Sequence, residues 1–157
     1  MAQNLNYSAP SGSKCYGNNN SNCDTYGRLY NWATAMVACP IGWHLPEDDE
    51  WRELIDFAGV SPATKLRAKN SWNSCTEGYG TDDFGFAALP GGHCNTGACN
   101  YSGPGGMANI WTATSHDNTD AYFIVIGCNV SDPKSYDKNY AGRGKTALFY
   151  SVRCVQD

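Results

Sequence analysis

The sequence predicts an α+β domain, and three observations carry the prediction. Helical periodicity is confined to the residues before 70. Strand-like runs punctuated by Gly and Pro fill the remainder of the chain, and eight cysteines are available to cross-link the long loops between elements. Residues 1–25 read as an extended lead-in and a polar, Asn-rich loop. Tyr26 to Val37 reads as a first helix, because Leu29, Trp32, Ala33 and Met36 fall at i, i+3, i+4 and i+7, one apolar stripe. Pro40 and Gly42 end it. Glu47 to Ala58 reads as a second helix. Pro46 suits its start, and Glu47, Asp48, Asp49 and Glu50 complement the positive end of the helix dipole. Trp51, Leu54, Ile55 and Ala58 form its apolar face, and Gly59 suits its stop. A short helical turn is expected around Ala63 to Ala68.

From Asn70 onward turns and strands take over. Gly and Pro cluster from Gly78 to Gly106, which excludes a helix there. Strands are expected at Phe84 to Leu89, Ile110 to Thr114, Ala121 to Gly127 and Ala147 to Val155. No internal repeat and no second domain is visible, so residues 1–157 read as one domain. A chain of 157 residues can bury roughly two-thirds of the surface its unfolded form exposes.

Composition excludes several classes of function. The net charge of −4 offers no basic footprint for nucleic acid. No apolar run approaches the roughly 20 residues of a membrane span, so no direct insertion is expected, and the polar, aromatic start does not resemble a signal peptide. An even count of eight cysteines points to an oxidising compartment and a disulfide framework. Cys15 and Cys23 flank one turn-rich loop, and Cys94 and Cys99 flank another. Cys39 follows the first helix while Cys154 sits in the last strand. Bridging those two would close most of the chain, worth up to about 5 kcal/mol in the chain-entropy picture. Elimination leaves Cys75 with Cys128. The competing reading takes Cys75, Cys94, Cys99 and Cys128, with His93 adjacent, as zinc ligands. It is weaker, since Cys94-x4-Cys99 is loosely spaced and no second tight pair accompanies it. Neither metal nor cofactor is expected.

Signatures of catalysis are thin. There is no phosphate loop, dinucleotide fingerprint, nucleophile elbow or paired-histidine zinc motif. His93 and His116 lack an evident carboxylate or nucleophile partner in sequence. Asp82-Asp83 could serve as paired carboxylates for catalysis or calcium, but fits better as an Asx-type turn leading into the strand at Phe84. His44 is expected to be a packed, hydrogen-bonded histidine, not a catalytic one.

Two segments near opposite ends carry a resemblance. They are Cys39-Pro40-Ile41-Gly42-Trp43-His44-Leu45-Pro46, running into Glu47 to Leu54, and Tyr150-Ser151-Val152-Arg153-Cys154-Val155. Further motifs are Met1-Ala2-Gln3-Asn4-Leu5-Asn6-Tyr7, Tyr26 to Ala33, Thr81 to Gly92 and Trp111-Thr112-Ala113-Thr114. Together they resemble the Fibrobacter succinogenes major paralogous domain, a bacterial surface-protein family related to the C-type-lectin-like fold, over nearly the whole chain. The resemblance implies two helices on small antiparallel sheets with long loops, in the formylglycine-generating-enzyme-like subclass. Met1 falls within the family's own opening motif, so it also implies a domain cut from a longer precursor, with export signal and anchor elsewhere. The calcium-dependent sugar motifs of true C-type lectins, Glu-Pro-Asn or Gln-Pro-Asp followed by Trp-Asn-Asp, do not occur here. The formylglycine-generating oxidases need a reactive cysteine pair, and here every cysteine has a bridging partner in view.

Residues 115–149 are the expected site of function. Their flanks match the family and their interior does not. This stretch contains no Glu, Gln, Met or Trp, whereas the rest of the chain uses these types often enough to predict about four here. Randomising the two adenines of an Asn AAC codon reaches every residue type in the stretch except Lys, found at Lys134, Lys138 and Lys145, and it never gives a stop. The pattern resembles the target proteins of diversity-generating retroelements, in which a C-terminal stretch on a C-type-lectin-like scaffold is rewritten. The bland alternative is an accidental shortage in a loop-rich stretch. In the strand Ala121 to Gly127, Tyr122, Ile124 and Ile126 are assigned to the core. Phe123 and Val125, with Tyr136 and Tyr140, are assigned to an aromatic outer patch of the kind antibody paratopes use. The competing reading packs Phe123 and Val125 beneath residues 129–146. His116, Asp117, Asp120 and Arg143 would supply polar specificity. The expected function is therefore non-catalytic binding of a protein or glycan ligand at a cell or phage surface. The alternatives are a fixed carbohydrate-binding or adhesion module, and a formylglycine-generating-type oxidase.

Overall fold

The computed structural model describes residues 1–73, 75, 79–95, 99–128, 134–136 and 144–157, the backbone alone for 134–136. It is α+β. In chain order its elements are β1 (Ser13–Lys14), a 3-10 turn (Tyr16–Asn18), α1 (Asn20–Tyr26), β2 (Leu29–Tyr30), α2 (Trp32–Ala38), β3 (Trp43–His44), α3 (Asp48–Ala58) and α4 (Pro62–Leu66). Next come β4 (Gly91–Asn95), β5 (Asn100–Pro104), β6 (Met107–Ser115), β7 (Ala121–Gly127), β8 (Lys134–Tyr136), α5 (Gly144–Ala147), β9 (Leu148–Phe149) and β10 (Val155–Gln156). The main sheet runs β5-β4-β6-β7-β8, with β9 paired to β4; β1–β2 and β3–β10 are separate two-stranded ribbons. The pairings between these strands are antiparallel except β4 with β6, which meet at Gly92 and Ala108; the isolated bridges Arg67 to Ala88 and Ile110 to Ser151 are also parallel.

The second helix forms as its sequence dictates. Glu47 and Glu50 make a reciprocal capping box, Trp51 and Ala58 are buried, and Gly59 at φ 67 ends it. The first expected helix does not form as one element. Gly27 stops α1 at φ 77, and a Cβ there would stand 2.8 Å from the Asn4 Cβ. Leu29 and Tyr30 then pair with β1, and Asn31 starts α2 afresh, its side chain accepting from Thr34 N at 2.9 Å. The apolar stripe was thus a coincidence of spacing across a strand and a helix, and Met36 is 42% exposed.

The strand expected at Phe84 to Leu89 is instead a turn. Asp82 (φ 48) and Ala87 (φ 50) are left-handed, and the Asp82 carboxylate accepts from Ala87 N at 2.7 Å. Asp82 thus closes a wider turn on the amide five residues on, not the Asx turn expected, and no strand spans 84–89. Strands β4 and β5 lie in the Gly/Pro-rich span. The last expected strand resolves into α5, β9 and β10 around a buried stretch, Tyr150 to Cys154. That stretch is paired piecewise: Tyr150 exchanges both main-chain bonds with Tyr30, Ser151 bonds Asn109 and Trp111, and the Val152 carbonyl accepts from Leu5 N.

The hairpin β6–β7 is buried on both faces. One core gathers Tyr30, Ala35, Leu45, Trp111, Tyr150 and Val152 against Ala121, Phe123 and Val125. The other gathers Trp51, Leu66, Trp72 and Ala108 against Ile110, Ile124 and Ile126. This corrects the expected outer patch: Phe123 and Val125 are each only 5% exposed, and Tyr122 is half-buried. The physical reason is two-sided packing, for which a strand needs an unbroken apolar run in place of alternation.

Two arginines are buried within this framework. Arg153, 2% exposed, donates to Asn4 Oδ1 (3.2 Å) and to the carbonyls of Met1 (3.1 Å), Phe86 (2.6 Å) and Ala87 (3.2 Å), with its guanidinium 4.4 Å above the Phe86 ring. Burial pushes its pKa down to about 10, against the favourable charge of Asp82, so it remains a cation at neutral pH. Arg67 donates to the carbonyls of Gly127 and Cys128, both at 3.1 Å. Four disulfides join Cys15 to Cys23, Cys39 to Cys154, Cys75 to Cys128 and Cys94 to Cys99, leaving no free cysteine. No helix is long and apolar enough to cross a membrane among the described residues.

Chemical unfolding with the disulfides intact should show both effects. Phe123→Ala should cost about 3–5 kcal/mol and Val125→Ala about 2 kcal/mol, as for core side chains; losses below about 0.5 kcal/mol would mean surface positions. Arg153→Met should cost about 3–5 kcal/mol, because four buried or half-buried acceptors lose their donor together.

Candidate functional site

The hairpin turn between β6 and β7 is the described part of the 115–149 stretch that faces solvent. Its centre is Asp117. The Asp117 Oδ1 accepts from Thr119 N (2.7 Å), Asp120 N (2.8 Å) and Thr119 Oγ1 (2.9 Å), a closed Asx turn. Those donors, the Thr119 amide foremost, hold its carboxyl well below the usual carboxylate range. The second oxygen lies 3.2 Å from His116 Nδ1, and the His116 ring meets the Tyr122 ring edge-on at 5.5 Å.

Asp120 turns the other way. Its Oδ1 accepts from Gly144 N at 2.6 Å, so the β6–β7 turn holds the start of α5. Lys145 completes the junction. Its amide donates to the Thr119 carbonyl (3.1 Å), and its ammonium donates to Ser115 Oγ (2.6 Å) and to the Asp117 carbonyl while lying 4.5 Å over the Trp32 ring. Trp32 is itself fixed by its indole N–H to the Thr112 carbonyl at 2.9 Å. On the far side, Cys128 is tied to Cys75, to Arg67 and, through its amide, to the Gly106 carbonyl. Residues 128 and 144 are therefore both fastened to the framework.

The eight residues assigned to recognition separate accordingly. His116, Asp117 and Asp120 come together in one turn, where Asp117 and Asp120 spend most of their acceptor capacity internally. Phe123 and Val125 lie in the core. Tyr136 lies in β8, opposite Phe123 in the register. Tyr140 and Arg143 fall outside the described residues. Ser115, Thr119, Lys145 and Trp32 were missed as partners of the turn. The Asp-x-Thr pattern at 117–119 was a usable signal for its closure, whereas nothing local marked Lys145 as its counterpart.

Elsewhere the chemistry is sparse. An apolar cleft of about 230 Å³ is lined by Met1, Pro46, Trp51, Leu54, Phe86 and Val155, with Glu50 and Arg153 at its polar parts. That is below the usual size of a small-molecule site. His44 is not packed as expected. Its side chain is 41% exposed, with carboxylates at both ring nitrogens. His93 Nδ1 accepts from Asn109 Nδ2 at 2.8 Å, and burial lowers the His93 pKa. No group of three His, Cys, Asp or Glu side chains is placed to hold a metal ion among the described residues.

No curated protein and no solved structure matches the chain. A family model described as the Fibrobacter succinogenes major domain matches residues 1–156, and the chain belongs to that family.

Proposed function

We propose that the chain is a non-catalytic binding domain of C-type-lectin-like type. On this reading it is displayed outside a bacterial cell or on a phage particle, and it meets a protein or glycan ligand through the solvent-facing residues of 115–149. The observation that carries the reading is the junction of Asp117, Asp120, Gly144 and Lys145. It secures the backbone by hydrogen bonds among the turn's own groups, so neighbouring exposed side chains can change without loss of the fold. Lys145, one of the three residues that adenine-directed change of an AAC codon cannot produce, serves here as an anchor, consistent with a fixed boundary of a rewritten stretch. Four disulfides support an oxidising, exported setting. The bridging of every cysteine supports binding over an oxidase that needs a reactive thiol.

With Phe123 and Val125 in the core, the recognition set reduces to His116 and Asp117, with Asn118 beside them, and to Tyr136, Tyr140 and Arg143. Simultaneous replacement of His116, Asn118, Tyr140 and Arg143 should leave the melting temperature within about 4 °C. The same variant should change which immobilised glycans, proteins or whole cells the domain retains. Retention of an unchanged ligand set by this variant would instead indicate a fixed module that binds elsewhere on the surface.

A further inference from the structure

His44 stands between two elements that meet nowhere else through a charged contact among the described residues. Its Nδ1 lies 2.7 Å from Asp157 Oδ1, just beyond β10, and its Nε2 lies 3.1 Å from both oxygens of Glu50 in the first turn of α3. A neutral imidazole carries one N–H, so one of the two carboxylates would face a lone pair; only the imidazolium satisfies both. We infer that His44 is a pH-operated fastener, which as the imidazolium clips the β3–β10 ribbon to α3 and on losing its proton releases residues 155–157 from the wall of the apolar cleft.

The two carboxylates that bond His44 both favour its charged form. Glu50 is held independently by Glu47 N at 2.8 Å, so it stays in place when the histidine discharges. Glu50 from α3 and Asp157 after β10 bond the ring; Glu47, the N-cap of α3, shares its groove, where Met36 from α2, Leu45 and Ala113 from β6 add no charge. On the cleft side of Glu50 lie Arg153 and the Met1 ammonium, which donates to the Cys154 carbonyl at 2.8 Å. Two carboxylates thus flank one cation, and deprotonation removes the charge that holds them together. The released part is short, because Cys154 remains bonded to Cys39. Beyond it the strand is held by pairing of Val155 with His44 and Gln156 with Trp43, and by the Asp157 amide on the Gly42 carbonyl at 3.1 Å. Val155 is one wall of the cleft that also contains Trp51 and Phe86.

The geometry sets the sign of the effect. The hydrogen bond to Asp157, then that to Glu50, raises the His44 pKa above its ordinary 6.5. The fastening is complete below pH 6.5 and is lost as pH rises through the raised value.

Amide hydrogen exchange of residues 155–157, corrected for intrinsic rates, tests this alongside the His44 Cε1–H shift in the oxidised protein from about pH 5.5 to about pH 9. Protection should fall about three- to tenfold, with the midpoint of the His44 titration. Asp157→Asn, which leaves the α3 cap untouched, should lower protection at acid pH and flatten the profile. Protection that stays constant while His44 titrates, or a His44 midpoint at or below the ordinary value, would overturn the inference.

Discussion

The buried guanidinium of Arg153 is the constraint to which the rest of the structure answers. A cation at 2% exposure costs several kcal/mol unless its donors are met. They are met by neutral acceptors from two separate parts of the chain, Met1 and Asn4 at the start and Phe86 and Ala87 in the middle. Each of those acceptors must present a carbonyl or amide oxygen inward. That requirement accounts for the left-handed turn of 82–87, where Asp82 closes the loop on Ala87 N and places its charge where it favours the guanidinium. It also accounts for Asn4 being buried, its amide donating to Tyr26 while its oxygen serves Arg153.

The neighbouring stretch spreads this anchoring across the sheet. Tyr150, Ser151 and Val152 make main-chain bonds to β2, β6 and Leu5 in turn, and Cys154 is locked to Cys39 over a separation of 115 residues. The hairpin β6–β7 lies between the two cores, with Arg67 capping its end at Gly127 and Cys128. None of these interactions uses a solvent-facing side chain of the β6–β7 turn. The scaffold is thereby held by residues outside that turn, the arrangement that the proposed binding surface would require if it is to change without unfolding its support.

Much of this was legible from residue types, and the failures are physical. Helix α3 was readable because its cap, acidic first turn, apolar face and terminal glycine all agree. Strand β7 was readable as an element, but its faces were not. Tyr122 to Ile126 is apolar throughout, so the period of two that separates inside from outside was absent, and that absence was itself the signal for burial on both sides. The helix expected at 26–37 failed because Gly27 must lie against Asn4, a contact between segments that no local pattern reports. The same holds for the site. The closure of the 115–120 turn can be read from Asp117 and Thr119, while its tie to Gly144 and Lys145 depends on tertiary placement.

The central claim is that the fold stands on Arg153, the two cores and the disulfides, independently of the residues joining β8 to α5. Replacing residues 137–143 with a Gly-Ser sequence of equal length, and measuring unfolding free energy with all disulfides formed, tests it most directly. The expected result is one cooperative transition within about 1 kcal/mol of the original. Loss of cooperativity, or a drop of more than about 3 kcal/mol, would show that the fold depends on those residues and contradict their separation from the scaffold.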